Sequence, residues 1–126
     1  MKRILAGLLA LVLAANGLVM LIAGAWWYGA VPGVTQTGPF NPHFVQDIGA
    51  AYIVAGVVMV LLALRGEAWR LAAFTWAGFL AFHAAIHLKD ALGGHHMGAD
   101  LIRDAAGVYL LPILSLWAAW PAKRSA

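Results

Sequence analysis

The sequence predicts an all-α integral membrane protein, a four-helix transmembrane bundle that takes up the whole chain as one domain. Three observations carry this. Hydrophobic residues fill 63% of the 126 positions, at a mean hydropathy of +0.84, which is more apolar surface than a soluble domain of this size can bury. The apolar residues fall into four runs of about the length that crosses a hydrocarbon core of roughly 30 Å. Six of the eight bases stand in three short clusters at the ends of those runs: Lys2 and Arg3, Arg65 and Arg70, Lys123 and Arg124. Such clusters are membrane-flanking charges, not the basic stripe of a nucleic-acid binder, despite a pI near 9.7.

The first expected span covers residues 4–28 and is interrupted only by Asn16. The start Met1-Lys2-Arg3 and the stretch Leu13-Ala14-Ala15 imitate a cleavable leader, but the apolar run continues well beyond Ala15, so an uncleaved anchor is expected. Residues 29–42 contain three prolines and three glycines and cannot be helical throughout. The second span is expected over 43–64, with Pro42 suited to a first helical turn. A tight loop, Arg65-Gly66-Glu67, then makes spans two and three antiparallel neighbours.

The third span is expected over 68–92 and ends at Gly93 and Gly94, which tolerate left-handed backbone. The fourth is apolar only from Ala105 to Trp120. Starting it near Ala99 gives a span over 99–120 whose first turn carries Asp100, Arg103 and Asp104, and the two acids complement the helix dipole. Pro112 should kink it and deprive the carbonyl of Val108 of its helical donor. Small residues from Gly49 to Gly56 suit close helix packing, and Asn16 suits an interhelical hydrogen bond.

The base clusters place both termini on the cytoplasmic side of a cell inner membrane. Trp26, Trp27 and Tyr28 then mark the outer interface, and Trp69, Trp117 and Trp120 the inner one. All five histidines and four of the five acids fall at the outer end. Ionisable groups near lipid are costly, so this segregation points to function.

His83 and His87 are four residues apart and Asp90 three further on, which puts them on one helical stripe continued by Trp76 and Phe79. His43 and Asp47 repeat the spacing at the matching end of span two. A pocket of His43, Asp47, His83 and His87 is therefore the candidate metal site, with Asp90 as a group that could fix a histidine tautomer. Three chemistries suit these residues. Histidine plus carboxylate can bind a transition metal (Zn, Cu, Fe or Mn), with redox or electron-transfer chemistry open to it. Histidines from two spans can clamp a haem b iron. A histidine and an aspartate can hold a quinone headgroup and exchange its protons.

The sequence also carries plainer readings. His95 and His96 suit interfacial anchoring, and Asp100 and Asp104 suit dipole complementation. Asp47 could simply pair with Lys89 or Arg103. The chain has no cysteine, so disulfides and thiolate metal sites are excluded. The zincin Glu, a Ser-His-Asp arrangement and a phosphate-binding glycine loop are likewise missing from the sequence. Whether the protein is an enzyme is left open. A rival class is a non-enzymatic membrane subunit whose polar end meets a protein partner or a second copy.

The stretch Phe40-Asn41-Pro42-His43-Phe44-Val45-Gln46-Asp47-Ile48-Gly49, with Phe82-His83 and His87 downstream, resembles uncharacterised small four-helix bacterial membrane proteins, broadly DoxX-like. The resemblance implies four spans in an inner membrane. It implies no particular site residue.

Overall fold

A computed structural model describes residues 1–94 and 97–121. The expectations for His95, His96, Lys123 and Arg124 lie outside the described residues. Those described are helical or in connecting turns, with no strand among them. Three helical stretches are long and apolar enough to cross a membrane: Lys2–Ile22, Pro42–Gly93 and Gly98–Ala119. The middle stretch is 52 residues long, and a 3₁₀ turn at Gly66–Trp69 divides it into two 24-residue helices, Pro42–Arg65 (α3) and Arg70–Gly93 (α4). Gly66 takes φ 62° there, which only glycine adopts without strain.

The first span is shorter than the apolar run that encodes it. Helix α1, Lys2–Ile22, stops at Ala23, and a separate short helix α2, Gly24–Ala30, follows. A continuous helix would hold Asn16 and Trp27 roughly 16 Å apart along its axis. Instead the Trp27 indole N–H donates to Asn16 Oδ1 at 2.9 Å, because α2 folds back towards α1. The mid-span amide thereby gains the partner that a polar group in apolar surroundings requires. Trp27→Phe should cost about 1 kcal/mol, the net worth of one such bond. Thermal unfolding in detergent checks this, and Trp27→Phe in an Asn16→Ala background should add little further loss.

Helix α3 starts where Pro42 places it. Asn41 caps it, its side chain accepting from the Phe44 N–H at 3.1 Å. α3 packs along α1 through a seam of small residues. Buried Ala6, Ala10, Leu13 and Gly17 recur at helical spacing on α1 and meet Gly49, Ala55, Gly56 and Met59 of α3. A Cβ on Gly17 would lie 2.5 Å from the carbonyl oxygen of Gly49, and one on Gly49 would lie 2.8 Å from Cβ of Met20. The two backbones touch, as small residues permit in lipid, where dispersion and not the hydrophobic effect draws helices together.

Helix α4 packs mainly against the last span. That span is helical from residue 97 to 119, close to the expected 99–120, but in three pieces: α5, Met97–Asp104; a π-helical turn, Ala105–Leu110; and α6, Leu111–Ala119. The wide turn lies just before Pro112, where the expected kink falls. A proline removes one donor from the ladder, and a π turn is a common irregularity at such a break.

Outward-facing side chains are overwhelmingly apolar. Leu64 is 68% exposed, Leu71 80% and Phe82 77%, an exposure suited to lipid contact. The N-terminus, the Gly66–Trp69 turn and the end of α6 meet at one end of the packed helices. There Lys2 Nζ donates to the Trp120 carbonyl at 2.6 Å.

Candidate functional site

The four candidate ligands do not form one set. α3 follows α1 while α4 follows the last span, so the two histidine-bearing stripes are carried by different helix pairs. His43 and Asp47 lie on the first two turns of α3, with Nε2 and Oδ2 3.3 Å apart and both side chains largely exposed. Asp47 is therefore not the buried acid that its place in an apolar run suggests. It pairs with neither Lys89 nor Arg103. Lys89 lies 3.4 Å from Asp90, both exposed, so Asp90 is not seen bracing either histidine. Among the described residues no three histidine or carboxylate side chains are placed to hold a metal ion together.

His83 and His87 do come together. Their rings meet edge to face, with centroids 4.7 Å apart on one stripe of α4. Trp76 and Phe79 continue that stripe with an edge contact at 5.5 Å.

The carboxylate that serves them is Asp104, at the end of α5. Asp104 Oδ2 lies 2.8 Å from His87 Nδ1, and the Asp104 side chain is 6% exposed. Arg103 forks onto the same carboxylate, Nε to Oδ1 at 2.7 Å and Nη2 to Oδ2 at 3.0 Å, while its Nη1 donates to Asp100 Oδ1 at 2.7 Å. Asp100 and Asp104 thus act as a clasp for Arg103; Asp100 lies in the first turn of α5, where dipole complementation was expected, and Asp104 lies at its end instead.

A carboxylate forked by a guanidinium can only accept, so Nδ1 of His87 must carry the proton. In the neutral ring this tautomer puts the lone pair on Nε2, the nitrogen that could bind a cation. This carboxylate–imidazole pattern orients histidines that ligate metals.

The proline- and glycine-rich loop completes the shell. Gly33, at φ +85°, brings its backbone against the Arg103 side chain, where a Cβ would stand 2.6 Å from Nε. Gln36 Oε1 lies 3.5 Å from Arg103 Nη1. Tyr28 ties the loop's far side, its hydroxyl donating to the Gly38 carbonyl at 2.5 Å. The segment between α2 and α3 therefore covers the guanidinium. The π turn next to Asp104 also carries Tyr109, whose hydroxyl is buried without a hydrogen-bond partner among the described residues. An unpaired buried hydroxyl is costly and calls for a reason.

Sequence reasoning missed Asp104 as the partner of His87 and Arg103 as its clamp. The signal was present in the adjacent Arg103-Asp104, an ion pair at the foot of an apolar segment. No protein-family model matches this chain, and neither curated proteins nor solved structures give a match.

Proposed function

We propose that the protein is a four-helix transmembrane protein of a cell inner membrane, with both termini cytoplasmic, whose non-cytoplasmic end binds a transition metal through His83 and His87. The observation that carries this reading is the 2.8 Å contact of His87 Nδ1 with an Asp104 carboxylate already forked by Arg103. This contact leaves Nε2 available to a ligand role, and the His83 ring lies beside it. Two imidazoles suit Zn, Cu, Fe or Mn, and water or a second copy would complete the coordination. His43 and Asp47 form a separate exposed pair that could take a weaker share. The broadly DoxX-like resemblance belongs to this proposal through its four-span layout.

Metal analysis of the purified protein tests it. Wild type should retain one of these metals and His83→Ala/His87→Ala should lose it. Equal, near-zero content in both would overturn the ligand role. A Soret band in the absorption spectrum would instead favour haem on the same histidines.

A second reading, a non-enzymatic subunit of a larger membrane complex, is favoured by one observation. The Asp100–Arg103–Asp104–His87 chain already satisfies its own hydrogen bonds, as a purely structural clasp would.

A further inference from the structure

The opposite end of the molecule carries two cavities lined by neighbouring residues of α1 and α6. One, of about 330 Å³, is an apolar groove between α1 and α6 lined by Met1, Ile4, Leu5, Leu8, Leu114 and Trp117. The other, of about 220 Å³, is bordered by Lys2, Arg3, Glu67, Arg70 and Trp120. Lys2 joins them. Its ammonium lies 5.3 Å from the centre of the Trp117 ring, which lines the groove, and donates to the Trp120 carbonyl, which borders the polar cavity.

Three bases and one acid border the polar cavity, and Arg70 already pairs with that acid, Glu67. Neither Lys2 nor Arg3 has a carboxylate partner among the described residues. An apolar groove beside unbalanced positive charge suits an acyl chain attached to an anionic headgroup.

We propose that this end holds an anionic glycerophospholipid of the surrounding bilayer. One acyl chain would lie against Ile4, Leu8 and Leu114, and the phosphodiester would sit among Lys2, Arg3 and Arg70. Basic pockets between membrane helices recognise anionic headgroups in this way, and an interfacial tryptophan fixes the depth. The inference rests on the placement in a bilayer and is independent of the histidine site.

The full chain, reconstituted in nanodiscs of mixed phosphatidylglycerol and phosphatidylcholine with identical acyl chains, provides the test, with retained lipid read by native mass spectrometry. Wild type should retain phosphatidylglycerol over phosphatidylcholine by about tenfold. Lys2→Gln/Arg3→Gln should abolish the preference, and Leu8→Trp, which fills the groove, should lower retention of both lipids. Millimolar inorganic phosphate should not displace the lipid.

Equal retention of the two lipids by wild type would overturn the proposal, as would an unchanged preference in Lys2→Gln/Arg3→Gln or displacement by phosphate. A chain that does not enter bilayers at all would overturn both the lipid site and the membrane placement. One that enters without lipid preference would overturn the lipid site alone.

Discussion

Asp104→Ala is expected to destabilise the protein by about 3 kcal/mol, because breaking a buried ion pair by removing one partner leaves the other charge uncompensated. Arg103 would keep only Asp100, and His87 Nδ1 would lose its acceptor. The readout is the midpoint of thermal unfolding in detergent, followed by circular dichroism. Asp104→Asn should recover part of the loss, since it keeps the shape and one acceptor oxygen. Arg103→Leu/Asp104→Leu should be milder than the single alanine change, because the guanidinium is no longer left beside a missing carboxylate and only the partly exposed Asp100 loses its partner. A full additive loss in the double variant would show that the clasp acts through packing and not through charge.

Gly17→Leu is expected to have an effect of similar size by a different route. Its side chain would begin 2.5 Å from the Gly49 carbonyl oxygen and 2.9 Å from the Ile53 backbone nitrogen. Backbone cannot swing aside as a flexible side chain can, so α1 and α3 must separate along the seam. Overpacking of this kind costs about 1–3 kcal/mol. Gly7→Leu is the matched control, because a Cβ there meets nothing within 4 Å. Unfolding midpoints of the two variants should differ clearly.

The helices were legible because lipid imposes a simple rule: a spanning segment must satisfy its own backbone and present apolar side chains. Pro42 and the Gly66 turn marked α3 and α4 to within a residue or two. The break at Ala23 was not legible, since residues 4–28 are apolar but for Asn16 and hydropathy cannot register a fold-back. Only the need of Asn16 for a partner hinted at it, and that partner turned out to be Trp27.

The candidate site divided along similar lines. Helical spacing within α4 correctly brought His83 beside His87, because i and i+4 share a face. Which helices face each other is set by long-range packing. The small-residue seam draws α3 to α1, which leaves His43 and Asp47 on an exposed turn. Asp104 was overlooked because an acid in a first helical turn has a sufficient local explanation. The tertiary contact that gives it a second role comes from His87 on α4, 17 residues earlier in the chain.

The most direct test of the histidine site is the affinity of the purified protein for zinc, measured by competition with a chromogenic chelator. Wild type, His83→Ala/His87→Ala and Asp104→Asn would be compared, each shown to be folded by circular dichroism. If Asp104 presents His87 Nε2 as a ligand, wild type binds, the histidine variant does not, and Asp104→Asn binds about 10–100-fold more weakly. Equal affinity in all three folded proteins, or no binding in any, would contradict it.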